Sequence, residues 1–450
     1  MATIILSAAS PQHPSLQALA ACLVTELART GETDIQTFDL ATIKLAYCQG
    51  EFDCWVKTPG YCRSLDTEQV IVQAIHDADN LILLDAITFG GHGYTLKRAM
   101  DRMICLLAPF FEKRAALTHH RGRYDHVANL FALGWLPAPD SSQARTWREF
   151  AEANAINMLA PRFGAAVVDD TDQEAWADAI REMLASEDVP GATLDDRAPL
   201  RAALIEAASP ERPEGQAVPT AAVDARTAPR VAILNGSAKV KGTSASENLA
   251  RALAVRLEQG GALVEQHVAT EFIHDRGKAL VAARAIAEAD LFVLVTPLYV
   301  DALPALATHA LELVAQVRNP DFPPAQFAVI INCGFPEPEQ IRTALRIARH
   351  FAVRAGYAWA GGLPLGGGGS ISPERPLDEQ HGPAEHVKRA LDLAAPALAR
   401  REPIPAEAIE EMIARPMPDG LYRLMGDLGW RYQAYRNHVS QRDLKAKPLD

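Results

Sequence analysis

Apolar positions along this chain switch between two periods, and the switching recurs. Residues 2–7 form a short β-rich run, and residues 15–30 carry apolar side chains at helical spacing. Residues 79–84 are a continuous apolar run, as expected of a parallel strand covered on both faces. The pattern then predicts a helix over 95–108, a strand over 127–134, a helix over 144–160, a strand over 164–168 and a helix over 172–186. After residue 229 it restarts. Strands are predicted near 230–235, 263–268, 290–295, 326–332 and 357–361, with helices near 245–259, 277–288, 302–317, 337–355 and 384–399. Alternating strands and helices build a doubly wound α/β sheet, and here the alternation occurs twice.

The two runs share local wording. Ala78-Asp79-Asn80-Leu81-Ile82-Leu83-Leu84 is matched by Ala289-Asp290-Leu291-Phe292-Val293-Leu294-Val295, and Ile4-Ile5-Leu6-Ser7 by Ala232-Ile233-Leu234-Asn235. This predicts two domains, residues 1–205 and 229–400, each a five-stranded parallel sheet. Residues 206–228 break the pattern. Pro210, Pro213 and Pro219 stand there among Ala, Glu, Gly and Thr, with Pro229 just after, a composition that reads as a linker. Residues 401–450 open with Pro403 and Pro405 and predict an aromatic, basic helical tail. Docking on its own or a sister subunit suits the tail better than lying on a membrane surface, because it is short and carries acids.

Composition narrows the partners. The 450 residues carry a net charge of -12, which argues against nucleic acid and anionic membranes as main partners. No apolar run reaches the length of a membrane span. Met1–Leu6 lacks a basic region and reads as a strand rather than a signal peptide. Six cysteines, Cys22, Cys48, Cys54, Cys62, Cys105 and Cys333, are too sparse for a disulfide scaffold and suggest a reduced, cytoplasmic setting.

The turn from Asn235 to Asn248 offers the clearest chemistry. Gly236, Ser237, Lys239, Thr243, Ser244 and Ser246 lie between a predicted strand and a predicted helix, where hydroxyls and free amides can surround a phosphate. Gly236 and Gly242 would let the backbone approach a ligand closely. The alternative is a capping box, with Ser244 and Glu247 at the required spacing and no ligand involved. The first copy of the turn is poorer. Ala8 stands where the second has Gly236, and Pro11 and Pro14 remove two donors. Ser7, Ser10 and Ser15 could still contact a phosphate.

With these residues in view, both halves resemble the flavodoxin-like NAD(P)H-dependent FMN reductase and quinone reductase superfamily. The resemblance rests on Gly236-Ser237 with Ser244, on Thr296-Pro297-Leu298-Tyr299-Val300-Asp301, and on Ile331-Asn332-Cys333-Gly334-Phe335. It implies two flavodoxin-like doubly wound sheets in tandem, with strand order 2-1-3-4-5 and a helical C-terminal tail. It also implies FMN as cofactor, its phosphate on the first turn and its ring flanked by Pro297, Leu298, Tyr299, Asp301, Asn332, Gly334 and Phe335. Gly366 to Gly369 would form a further loop nearby. In the first half Thr88, Phe89, Gly90 and Gly91 take the corresponding place. NAD(P)H would be co-substrate and a quinone, a flavin or another small molecule the acceptor. A flavodoxin-type electron carrier and a flavin-free scaffold are the alternatives. Because relatives are commonly dimers, the halves are expected to form an internal pseudo-dimer, or the chain a homodimer. Two bland alternatives stay open: Tyr299 as strand-end packing, and Asp301 as a cap on the next helix.

Cys48, Cys54 and Cys62 resemble the cysteine segment of iron–sulfur flavoproteins. A four-iron cluster needs four thiolates, and Glu51 stands where another cysteine would be expected, so a loop with free thiols is the reading adopted. His119, His120 and His126 with Asp125 form either a polar surface loop, an anion contact or a metal set, and no metal is expected. Cys333 reads as a packed residue rather than a nucleophile.

Overall fold

The computed structural model describes residues 1–210, 228–319, 321–415 and 417–450. Most of the expected linker, 211–227, lies outside the described residues. The chain divides into two compact units, Met1–Asp196 with Arg423–Asp450, and Arg197–Tyr422. The division falls after Asp196 rather than within 206–228, because the helix that follows already packs with the second sheet.

The first unit runs β1 (Ala2–Ser7), α1 (Pro14–Arg29), β2 (Asp34–Asp39), α2 (Asp53–Val56), α3 (Glu68–Asp77), β3 (Asn80–Thr88), β4 (Gly91–His92), α4 (Tyr94–Met100), β5 (Leu107–Arg114), β6 (Leu117–Gly122), β7 (Asn129–Leu136), α5 (Ser141–Asn157), β8 (Phe163–Asp169) and α6 (Trp176–Ala185). Its main sheet is parallel in the order β2-β1-β3-β7-β8. Alternate residues feed two cores. Ile4, Leu6, Leu81, Leu83 and Leu130 face one, with Ile75, Leu96 and Trp147. Ile5, Ile82, Leu84 and Phe131 face the other, with Leu19, Leu23 and Ile180. β2 escapes the sequence reading because it is an edge strand, with only Phe38 buried.

The helix expected over 95–108 stops at Met100. A 3-10 turn follows at Met103–Leu106, and the chain then enters the antiparallel β5–β6 hairpin. Pro109 cannot continue a helix, and the apolar run Leu107–Phe111 instead suits an extended strand. The expected surface loop 118–126 is therefore partly strand β6. Beside it, the fully buried Arg102 pairs with Asp66 and Glu68 at 2.5 and 3.4 Å and donates to the carbonyls of Ala46 and Ser64. This one guanidinium fastens the cysteine-bearing segment to the sheet.

The second unit runs α7 (Ala198–Ala208), β9 (Arg230–Asn235), α8 (Ala245–Gln259), β10 (Leu263–Val268), α9 (Glu271–His274), α10 (Arg276–Ala287), β11 (Leu291–Pro297), α11 (Ala305–Val317), β12 (Gln326–Asn332), α12 (Arg342–Ala355), β13 (Ala358–Leu365), α13 (Glu385–Ala399), α14 (Ala406–Met412) and the start of α15 (Asp419–Arg436). Its sheet is parallel in the order β10-β9-β11-β12-β13. Phe292, Phe327, Phe351 and Tyr357 cluster at its core with centroids 4.9–6.1 Å apart. Both sheets thus have the flavodoxin-like order 2-1-3-4-5. The shared Ala-Asp dipeptide has a structural reason. Asp79 Oδ2 accepts the Ala2 N–H at 2.9 Å, and Asp290 Oδ2 accepts the Arg230 N–H at 2.8 Å. Each carboxylate satisfies the amide that opens its sheet's second-position strand.

The tail from Arg423 belongs to the first unit. Trp430 meets Phe52 and Trp55 edge-on at 5.2 and 5.1 Å, Asp427 accepts the Phe111 N–H, and Arg123 donates to the carbonyls of Leu444 and Ala446. Among the described residues no helix is long and apolar enough to cross a membrane. Removing the charge of Arg102 strands two carboxylates, one of them buried. Arg102→Met is expected to destabilise the first unit by about 3 kcal/mol, and Glu68→Gln in that background to recover part of the loss, as read by chemical denaturation.

Candidate functional site

In the second unit the strand order reverses between β9 and β11. At such a switch point the turns leaving two adjacent strands diverge and open a crevice. Asn235 Oδ1 accepts the Ser237 N–H at 3.1 Å, and Ser237 Oγ accepts the Lys239 N–H at 3.3 Å. A Cβ on Gly236 would lie 2.5 Å from Thr296 Oγ1 and 3.1 Å from Ala307 Cβ. Packing against β11 and α11 therefore requires this glycine whether or not a ligand approaches its backbone. Gly242, with φ +81° and open space above it, forms the tip.

Ser244 is the N-cap of α8, but its hydroxyl makes no capping bond. Glu247 Oε2 accepts the Gly242 N–H at 2.6 Å rather than reaching back to Ser244. The capping-box reading is overturned. The first-turn amides of Ala245, Ser246 and Glu247 take no acceptor among the described residues. Ser246 Oγ donates to Asn332 Oδ1 at 2.6 Å, and Thr243 Oγ1 donates to the Val240 carbonyl. Among the described residues the hydroxyls of Ser237 and Ser244, both buried, donate to no acceptor.

Two further turns meet this one. Leu298 donates to the Asn332 carbonyl, and Tyr299 and Ala302 exchange backbone bonds across a two-residue turn. Its central residues, Val300 and Asp301, have φ of 46° and 57°. Positive φ at a β-branched residue is a strained arrangement, and Thr343 Oγ1 holds it through the Asp301 carbonyl at 2.8 Å. Asp301 does not cap the next helix, whose N-cap is Pro304. Beyond Asn332, the Gly367 N–H donates to Phe335 O and the Gly368 N–H to Cys333 O. Gly334 has open space where a side chain would be. Cys333 is buried, and burial pushes its thiol up to about 12, against a smaller opposing effect of the Phe335 amide.

Hydrogen-bond register aligns the first unit with this site residue by residue. Ser7 pairs with Leu84 as Asn235 pairs with Val295, and Trp135 pairs with Ala86 as Asn332 pairs with Pro297. Thr88-Phe89-Gly90-Gly91 then occupies the place of Tyr299-Val300-Asp301-Ala302 and is likewise a two-residue turn, with φ of 54° at Phe89 and 77° at Gly90. The phosphate turns differ. Ser15, second residue of α1 as Ser246 is of α8, donates to Asp170 Oδ2 at 3.0 Å. Asp170 Oδ1 accepts from the indole of Trp135 at 2.9 Å, and that ring lies 5.8 Å from His13. Pro14 removes one first-turn donor. Ser10 contributes its carbonyl to the His13 N–H. Asp170 was missed in the sequence. Its signal was available: it follows β8 where Gly367 follows β13.

The cysteine and histidine segments resolve into packing. Cys54 and Cys105 share an apolar cluster with Trp55, Val56 and Val72. His119 Nδ1 lies 2.7 Å from Asn157 Oδ1, and His126 Nε2 lies 2.8 Å from the Ala78 carbonyl. His120 is wedged between Trp55 and Phe111, with its basicity lowered by burial to about 3. His119 and His120 correct the surface-loop reading, whereas Asp125 and His126 are exposed as that reading expects. Among the described residues no group of three or more His, Cys, Asp or Glu is placed to hold a metal ion.

No protein-family model and no curated protein matches the chain. Solved structures similar to parts of it include the NAD(P)H:quinone oxidoreductase from Methanothermobacter marburgensis, at 16% identity over 38% of this chain and 96% of that one, with a TM-score of 0.28. Another is an FMN-dependent NADH-azoreductase from Bacillus anthracis in complex with FMN, at 11% identity over 38% of this chain and 99% of that one, with a TM-score of 0.28. The buried, high-pKa thiol of Cys333 is expected to resist iodoacetamide at pH 7.5 in the folded chain and to react once denatured, as read by mass spectrometry of its peptide.

Proposed function

We propose that this chain is an FMN-dependent oxidoreductase that takes hydride from NADH or NADPH and passes it to a small acceptor, and that its flavin site lies in the second unit. The observation that carries this reading is the uncapped start of α8 at the switch point. Three amides and the Ser237 and Ser244 hydroxyls lie there without an acceptor among the described residues. A helix start adds about half a positive charge, and Lys239 and Lys241 stand on the same turn. A dianionic phosphate satisfies all of these donors. The nearby Glu247 carboxylate is held away by the Gly242 amide.

FMN, when bound, supplies the hydride- and electron-accepting ring. The chain's own residues would position it. The α8 turn would hold the phosphate. Pro297, Leu298, Tyr299 and Asp301 on one turn, with Asn332, Gly334 and Phe335 on the next, would line the ring and keep water from it. The Ser246–Asn332 bond ties the phosphate turn to the ring side, so that the two ends of the site keep a fixed separation.

The first unit offers a different environment. Asp170 places a carboxylate on the second residue of α1, where phosphate would be repelled, and Trp135 fills the position of Asn332. The aligned registers support a tandem duplication in which one copy lost its cofactor site, so Ser10, Ser15, Thr88, Phe89, Gly90 and Gly91 are read as structural remnants.

Reconstitution with excess FMN followed by gel filtration is expected to leave one flavin per chain, and its absorption to bleach anaerobically with NADH or NADPH. A colourless protein, or a flavin that neither nucleotide reduces, would sink the reading. Ser244→Ala is expected to weaken FMN binding about tenfold, the size of one bond to a charged group. It should leave the melting temperature of the apoprotein unchanged, because no capping bond is lost. Ser15→Ala should leave FMN affinity unchanged.

A further inference from the structure

The loops after β12 and β13 form a surface almost without side chains, and one residue of the tail lies on it. Tyr422, on the first turn of α15, donates its hydroxyl to the Gly334 carbonyl at 2.9 Å. Gly369 lies beside the same phenol oxygen. A Cβ on Gly367 would lie 3.3 Å from ring atom Cε2 of Tyr422, and one on Gly369 would lie 3.2 Å from its oxygen. The ring therefore rests on bare backbone at a distance that any side chain at these two positions would crowd.

Gly366 and Gly368 have another reason to be glycine. Added Cβ atoms would meet Pro336 O at 2.6 Å and the Asn332 side chain at 2.9 Å. Gly367, at φ +67°, needs glycine for its backbone as well, which leaves Gly369 as the position whose bareness serves the ring alone. A flat, polarisable surface with one carbonyl acceptor at its edge suits a planar aromatic with a single hydroxyl. A tyrosine side chain is such a molecule, tethered.

The tether is firm at its root and loose at its end. Asp419, one turn earlier, pairs with Arg197 and Arg415, and both arginines pair with the buried Glu339. The helix start is thus anchored. The phenol itself is held by one hydrogen bond and ring contact, and can leave by a rotamer change without unwinding the helix.

We propose that Gly334 and Gly367–Gly369 form a binding platform for a planar phenol, and that Tyr422 occupies it as an internal stand-in that such a ligand displaces. This rests on the second unit being the working site.

The test uses the full chain without flavin and 2-naphthol as probe, followed by its fluorescence polarisation. Tyr422→Ala is expected to bind 2-naphthol at least tenfold more tightly than the unaltered chain, and to bind naphthalene, which lacks the hydroxyl, more weakly than 2-naphthol. Adding Gly369→Val to Tyr422→Ala is expected to abolish the gain. Tyr422→Phe, which keeps the ring and loses only the bond to Gly334, guards against a folding defect and is expected to tighten binding severalfold. The proposal is overturned if neither tyrosine variant binds more tightly than the unaltered chain, if Gly369→Val has no effect, or if naphthalene binds as well as 2-naphthol. Naphthol binding in a chain that retains no FMN would keep the platform and sink the reductase reading. FMN binding with no gain on removing Tyr422 would do the reverse.

Discussion

A parallel sheet buried on both faces has few places to present polar groups. Its strands satisfy one another, and its helices satisfy their own interiors. What remains are the helix starts at the carboxyl ends of the strands, where backbone amides lack partners. Everything functional in this chain depends on what meets those amides. In the second unit nothing among the described residues caps the start of α8, although Ser244 and Glu247 have the spacing to do so. In the first unit the equivalent region receives Asp170 through Ser15.

The contrast arises from a few residues on a shared frame. Asp79 and Asp290 make the same bond to the same strand position, and the third strand of each unit ends in a two-residue turn with positive φ. On this frame Trp135 stands for Asn332 and Asp170 for Gly367. In the first unit the indole and the carboxylate bond to one another, whereas in the second the Asn332 carboxamide accepts from Ser246 and Tyr422 lies against Gly367. Such changes leave both sheets intact: Trp135 keeps its pairing on both sides within β7 as Asn332 does within β12, and Asp170 and Gly367 lie beyond the last paired residues.

The buried charges of the first unit have a structural role that the cysteine motif obscures. Arg102 ties Asp66, Glu68 and two carbonyls together, and Trp55 packs His120 against Phe111 through neighbouring rings. Burial holds the Glu68 carboxyl above its ordinary range, against the opposing pull of Arg102. Cys54 and Cys105 sit in the same apolar surroundings, which raise both thiols and make them poor nucleophiles. The segment thus behaves as a packed wall against which Trp430 of the tail docks.

Periodicity alone determined the two sheets, nearly all their strands and the positions of the three turns at each switch point, because buried parallel strands must be continuously apolar and their helices amphipathic. It missed β2, which is polar as an exposed edge allows, and it carried a helix to residue 108, where the chain has already left α4 and entered a hairpin strand. Tertiary structure decided the rest. Whether Ser244 caps its helix, whether Gly236 must be bare beside Thr296, and whether Ser15 is available all depend on side chains distant in sequence. So does the placement of Tyr422 on Gly367 and Gly369. Local propensity specifies which groups exist near a turn. Only the packing of remote strand ends settles which of those groups are already satisfied.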